Sequence, residues 1–276
     1  MYNFEYVRPR SIDEAVAALQ VEDAIPIAGG QTLIPTLKAR LAQPSTLVDL
    51  LGALSSEIKT VRNGNVSIGA AARHGAIATS DHTAAVPGLQ GLANRIGDPQ
   101  VRNRGTIGGS IANNDPAACY PAAALALGAE IVTNARTIPA EQFFLGMFTT
   151  ALEEGEIVTE IVFPSTASVA LPGDESLGRL EKGHYGKFPQ PASRFPLVGV
   201  FVAKFENAVR VAVTGASEGG VFRWAEAEQA LTASFSPDAI KDLKHPAEGM
   251  IGDIHASPEY RAHLIGVMTR RAVAAA

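Results

Sequence analysis

The stretch that most constrains the fold is Ala28-Gly29-Gly30-Gln31-Thr32, set between an apolar run (Ala24, Ile25, Pro26, Ile27) and a helical-looking segment over 33–41. Two adjacent glycines let the backbone turn with positive φ and remove the Cβ that would hold a ligand off. Strand, Gly-Gly and helix in that order is ordinary turn chemistry. It is also the arrangement in which consecutive N–H groups at a helix start hold a phosphate. Both readings stand on these residues alone. A second loop of the kind, Thr106-Ile107-Gly108-Gly109-Ser110, lies further along. Neither continues as the Gly-Lys-Ser/Thr of a Walker A loop, and neither reads GxGxxG, so neither a P-loop nor a Rossmann fold is supported. Two phosphate-cradling turns from two lobes suggest one long anion, a dinucleotide pyrophosphate, with Thr32, Thr106 and Ser110 adding hydroxyl donors.

The pattern around the first loop predicts a small α/β unit. Ser11 caps a helix, with Glu14 three residues on and Ala15, Val16 and Leu19 as its apolar positions. A strand over 25–28, the Gly-Gly turn, a helix ended by Pro44 and a strand over 46–50 make a β-helix-β crossover in a first lobe, 1–55. A second lobe, 56–173, opens on a hairpin turn at Asn63-Gly64. Helices are expected from about residue 75 and over 87–96, with Pro87 at the first helical position. After the loop 97–110 come an Ala-rich segment over 121–127, a strand over 130–133, a stretch carrying Phe143, Phe144 and Phe148, and a strand over 157–163. Residues 164–174, rich in Ser, Pro and Gly, place a domain boundary between 173 and 174. In 174–276, strands over 197–205 and 209–214 pair about Glu206-Asn207, and a helix covers 224–233. A last helix starts at Ser257, with Leu264, Val267 and Met268 on one face and Arg270 and Arg271 near its negative end.

Composition narrows the function. A formal net charge of -5 argues against a nucleic-acid partner, which selects a basic surface. No basic tract suits an anionic membrane, and no apolar run approaches the ~20 residues of a membrane span. The N-terminus lacks a signal-peptide pattern, so the expected compartment is the cytoplasm. One cysteine, Cys119, makes no intrachain disulfide and does not hold an iron–sulfur cluster. Six scattered histidines show no metal-ligand spacing, so no metal is expected on this chain.

Residues 28–35 and 97–110 resemble the two flavin-binding signatures of the FAD-binding medium subunit of molybdenum hydroxylases, the group of xanthine dehydrogenase, carbon monoxide dehydrogenase and aldehyde oxidase. The resemblance covers nearly the whole chain, including Phe4-Glu5-Tyr6 and Pro9, Asp115 to Ala118, Phe143 to Gly146, Phe195 to Val200 and Ser257 to Leu264, with Arg270-Arg271-Ala272. It implies an α+β fold: a two-lobed FAD-binding module of the vanillyl-alcohol-oxidase-like type, then a small C-terminal domain of antiparallel strands and helices. It implies that Ala28, Gly29, Gly30, Gln31, Thr32 and Leu33, together with Thr106, Ile107, Gly108, Gly109 and Ser110, wrap the FAD pyrophosphate and ribityl chain, and that Asp115, Lys187 and Phe195 join the site. Electrons would come from [2Fe–2S] clusters on a small iron–sulfur subunit, fed by a molybdenum cofactor on a large subunit. They would leave to an external acceptor while the assembly, a dimer of heterotrimers, hydroxylates an aldehyde, purine or N-heterocycle. The flavin supplies the redox chemistry, so no catalytic acid, base or nucleophile is required of this chain.

The chain departs from the family pattern in three places. Many relatives carry Asp where Cys119 stands, and Cys119 by itself reads as a small, half-buried packing residue. Ala72 replaces a frequent Thr, and the usual basic stretch after Lys187 is here Phe188 to Arg194. Lys187 reads as a residue approaching the flavin edge or as a solvated surface lysine. Phe195 covers the flavin ring or starts a core strand. Arg102 and Arg104 pair with the pyrophosphate, face a partner, or are solvated. Two rival functions stay open: a self-sufficient flavin-dependent reductase or oxidase on the same fold, and a non-redox nucleotide-binding subunit.

Overall fold

The computed structural model describes residues 1–168 and 175–276; the expected boundary between 173 and 174 lies outside the described residues. The first lobe forms as its pattern requires. Strand β1 (Glu5–Val7) leads to helix α1 (Ile12–Leu19), where the Ser11 side chain accepts from the Glu14 N–H. Strand β2 (Ala24–Ile27), helix α2 (Leu33–Lys38) and strand β3 (Thr46–Asp49) follow. The sheet order is β1-β3-β2 and both pairings are parallel, so each connection crosses over through a helix. Its apolar contact with the rest of the chain is small: Ala15, Val48 and Leu50 against Ile157.

The second lobe is built on an antiparallel sheet of order β4-β5-β10-β6-β7. Strands β4 (Ile58–Thr60) and β5 (Val66–Gly69) form the expected hairpin, with Gly64 at φ +85° in its turn. Helices α3 (His74–Thr79), α4 (Asp81–Ala84), α5 (Leu89–Asn94), α6 (Pro99–Arg102), α7 (Ile107–Asn113) and α8 (Tyr120–Leu127) come next. Pro87 is not the first helical residue. Gly88, at φ +84°, caps α5, because a Cβ there would press on Phe201 and on the Gly183 backbone. All eight residues of α8 are buried, and its alanines let neighbours pack from every side. Strands β6 (Glu130–Thr133) and β7 (Thr137–Pro139), helix α9 (Ala140–Phe143), the β8 (Phe144–Gly146) and β9 (Thr149–Thr150) hairpin, and β10 (Val158–Phe163) complete the lobe.

The remainder is an antiparallel meander, β11 (Leu180–Pro189), β12 (Pro196–Phe205), β13 (Val209–Thr214) and β14 (Phe222–Arg223), carrying α10 (Ala225–Ala233) and α11 (Pro258–Ala275). Strand β12 is buried on both faces. Val198, Val200 and Val202 point into a core shared with α11, while Phe201, Ala203 and Phe205 point into the core of the second lobe. Alternation along a strand makes this two-sided burial possible, and it explains the unbroken apolar run. Burying each such Val or Phe contributes about 1.5–3 kcal/mol. The last sheet is therefore packed as a continuation of the second lobe's core.

Candidate cofactor site

The lobes and the last sheet enclose a cavity of about 920 Å³, near the upper end of the ~300–1,000 Å³ usual for ligand sites. Ala28, Gly29, Gly30, Gln31, Thr32 and Leu33 line it from the first lobe. Thr106, Gly108, Gly109, Ser110 and Asp115 line it from the second, and Lys187 and Phe195 from the last sheet. Ile107 does not reach it. Its side chain is buried in the second-lobe core, and its N–H donates to Ala72 O.

The two glycine loops touch. A Cβ on Gly29 would lie 2.4 Å from Arg104 O and 2.7 Å from Gly105 Cα, so only glycine lets the backbones meet. Gly105 backs onto the His74 ring, where a Cβ would come within 2.5 Å of Nε2. A Cβ on Gly108 would likewise lie 2.5 Å from the Ala70 Cβ.

Their backbone donors are used differently. In the second loop four of the five N–H groups are occupied: Ile107 to Ala72 O, Gly108 to Ala70 O, Gly109 to Thr106 Oγ1 and Ser110 to Thr106 O. Those bonds fix the loop's shape and leave the Thr106 N–H as its one backbone donor without an acceptor among the described residues. In the first loop, none of the five consecutive N–H groups from Gly29 to Leu33 donates to an acceptor among the described residues. Gly30, at φ +70°, sets the turn between β2 and α2. The hydroxyls of Thr32 and Ser110 likewise have no partner among the described residues, and Thr106 Oγ1 accepts from Gly109 while keeping its own proton to donate. Asp115 accepts from the Ala117 N–H at 2.8 Å, and Thr214 Oγ1 on β13 ties down Pro116 O and Ala118 O.

Lys187 is not a solvated surface lysine. It is buried, and its ammonium donates to Arg95 O at 2.8 Å and to Cys119 Sγ at 3.5 Å. Burial pushes its pKa below the ordinary value, Cys119 pulls it back up, and Arg95 adds to the depression. Cys119 is buried rather than half-buried, and it lines the cavity. Phe195 is partly buried on the cavity wall, its ring edge-on to His255 at 5.7 Å. Arg102 does not face the cavity: its guanidinium braces Ile96 O and Gly97 O, each at 3.1 Å. Arg104 is exposed outside it.

Three further lining or supporting residues were not read from the sequence. His74 is buried against Tyr120, and burial, reinforced by Arg102, lowers its pKa to about 4, so the ring is neutral at pH 7. Glu156, on the wall, is held at about 2 by the Arg136 guanidinium. Arg95 donates to Tyr185 O and Lys187 O and so fixes β11 against α5. No local pattern marks these residues, because each acquires its role from a residue distant in sequence.

A family model described as the FAD-binding domain in molybdopterin dehydrogenase matches residues 2–166. The glyceraldehyde dehydrogenase medium chain of Sulfolobus acidocaldarius is 35% identical over 98% of this chain and 96% of its own. The carbon monoxide dehydrogenase medium chain of Hydrogenophaga pseudoflava is 34% identical over 99% of this chain and 96% of its own. Among solved structures, quinoline 2-oxidoreductase from Pseudomonas putida 86 superposes with a TM-score of 0.84 at 29% identity, covering 100% of this chain and 97% of that one. Matched over residues 2–166 by the family and over nearly its whole length by these relatives, the chain belongs to the FAD-binding medium subunits of the molybdopterin dehydrogenases.

Proposed function

We propose that this chain is the electron-transferring subunit of a heterotrimeric molybdenum hydroxylase, and that the loops at residues 28–33 and 106–110, with Asp115, Lys187 and Phe195, hold its FAD. The observation that carries the reading is the run of five unused N–H groups, Gly29 to Leu33, on the wall of a dinucleotide-sized cavity. Such a run costs free energy unless an acceptor or water meets it, and a pyrophosphate is the strongest acceptor a cofactor offers. The chain's residues fit FAD. Gly29 and Gly105 leave the close approach that a side chain would fill, the hydroxyls of Thr32, Thr106 and Ser110 add donors, and neutral His74 keeps a charge out of the apolar wall.

FAD, when bound, accepts and releases electrons singly or in pairs. The chain's own part is to bind, orient and shield it. No partner subunit is described here, and the single buried thiol supports placing [2Fe–2S] clusters on a small subunit and the molybdenum cofactor on a large one. Relatives named for glyceraldehyde, carbon monoxide and quinoline share this architecture, which supports substrate selection in another chain. The reaction is then hydroxylation of an aldehyde, purine or N-heterocycle, with electrons passed to an external acceptor. A dimer of heterotrimers in the cytoplasm follows from the same reading. Among the described residues no helix is long and apolar enough to cross a membrane.

The test is purification of the complex from its host through this chain, with molybdenum, iron and flavin analysis. FAD, molybdenum and iron in constant ratio are expected. A chain that remains colourless, takes up no added FAD and brings no metal with it would sink the proposal.

A further inference from the structure

One cluster on the cavity wall is organised beyond what holding a phosphate requires. The Arg95 guanidinium reaches β11 and donates to Tyr185 O at 3.3 Å and Lys187 O at 3.0 Å. Lys187 returns a hydrogen bond to Arg95 O and donates a second one to Cys119 Sγ at 3.5 Å. Tyr185 and Lys187, two apart on one strand, share a face. The Tyr185 hydroxyl is buried beside the Cys119 thiol. Lys187 makes no ion pair with a carboxylate among the described residues; its neighbour is a thiol. Both Cys119 and Lys187 line the cavity, so a small oxidant has a path to the sulfur.

We propose that Cys119 and Lys187 are a redox-sensitive crosslinking pair, in which hydrogen peroxide oxidises the thiol and the lysine amine captures the product through a sulfur–nitrogen bond. In the first step the peroxide O–O bond breaks. One oxygen ends on sulfur as a sulfenic acid, the other leaves as water, and sulfur gives up two electrons. In the second step the Lys187 ammonium loses a proton to cavity water and its lone pair attacks sulfur. The S–O bond breaks, and the departing hydroxyl takes one amine proton to form a second water. A sulfenic acid ordinarily condenses with a thiol, or with a backbone nitrogen to give a sulfenamide. This chain has no second cysteine, and the nucleophile already in contact with sulfur is an amine. Burial assists by disfavouring the ammonium form. The Tyr185 hydroxyl beside the sulfur would donate a hydrogen bond to the sulfenic oxygen.

The inference goes beyond the proposed function and does not rest on FAD being the ligand. The full chain is treated with hydrogen peroxide, digested without reductant and its peptides sequenced by mass spectrometry. The expected product is a peptide pair joined at Cys119 and Lys187, lighter by two hydrogens than its parts, and separated by dithiothreitol. Lys187→Arg is expected to lose the joined pair while its Cys119 sulfenic acid becomes trappable by dimedone; Cys119→Ala loses both signals. Should Lys187→Arg fail to fold, dimedone added with peroxide to the unaltered chain is expected to suppress the joined pair. Cys119 left as a free thiol, or carried to sulfinic acid without any joined peptide, would overturn the proposal.

Discussion

Gly29→Ala is the sharpest probe of the contact between the two loops. The new methyl would sit 2.4 Å from Arg104 O, 2.7 Å from Gly105 Cα and 3.0 Å from Arg104 C, all backbone atoms with no rotamer to change. The second loop yields little, because four of its five N–H groups are tied to Ala70 O, Ala72 O and Thr106. Relief must come from the first loop moving away. Overpacking of this kind costs about 1–3 kcal/mol. If the displaced donors miss the phosphate by the same free energy, FAD binding weakens roughly 5- to 150-fold. Urea denaturation measures the first effect, and quenching of flavin fluorescence on titration measures the second. Gly91→Ala is the control, since nothing lies within 4 Å of a Cβ there; in a helix it is expected to stabilise by roughly 0.5–1 kcal/mol. A Gly29→Ala chain with unchanged stability and unchanged FAD affinity would refute the argument that the loops' touch shapes the site.

Acid should destabilise the chain in two separable windows. His74 has a folded pKa of about 4 against an ordinary 6.5, so the unfolded state takes up the proton first. Its contribution, on the order of 3 kcal/mol, is complete above pH 6.5 and is lost as pH falls toward 4; His74→Gln should flatten that part of a urea-stability profile. Glu156, held at about 2 by Arg136, contributes above its unfolded value of 4.5 and loses that contribution as pH falls toward 2; Glu156→Gln should remove the lower window and leave the upper. Arg261 is buried, donating to Leu197 O at 2.6 Å, Gly215 O at 2.7 Å and Asp253 at 2.6 Å, so Arg261→Ala strands two carbonyls and a carboxylate. A loss of about 3–5 kcal/mol is expected by chemical denaturation, and a loss under about 1 kcal/mol would show that water replaces the guanidinium without penalty.

What was legible in the sequence divides along physical lines. The first-lobe crossover, the Asn63-Gly64 hairpin, the β12–β13 pair and the Ser257 cap rest on turn chemistry and apolar period, and all four form. Strand β11 was not read. Its sequence mixes Glu181, Lys182, His184 and Lys187 with two glycines, and no alternation survives. Packing explains it: a Cβ on Gly183 would lie 2.6 Å from Pro87 O, and one on Gly186 would lie 2.9 Å from Met268 O. Those glycines admit α5 on one side and α11 on the other, a need invisible within ten residues. Missing β11 also hid the setting of Lys187, which only that strand carries into the core. In the same way the two Gly-Gly loops read alike, because the carbonyls that occupy the second loop's donors belong to Ala70 and Ala72 just beyond β5.

That inequality between the loops suggests how the site is kept ready. The first lobe joins the rest through a small apolar contact, so its orientation depends heavily on the backbone touch at Gly29. The second loop, with four of its five N–H groups already bonded, is a fixed surface against which the first is set. The cavity wall behind it is fixed too: Thr214 on β13 holds the Pro116–Ala118 turn, and β13 pairs with β12, whose two faces serve two cores. Free backbone donors are thus concentrated in one loop, while the other loop and the sheet supply its reference frame. Donors positioned before binding require less ordering when the ligand arrives, and that saving appears as affinity. A pair of equally flexible phosphate loops would present more donors but would have to order both at once. The adjacent glycines at 29 and 30 therefore divide their work: Gly29 permits the contact that sets position, and Gly30, at positive φ, makes the turn in the run of free N–H groups that lines the cavity.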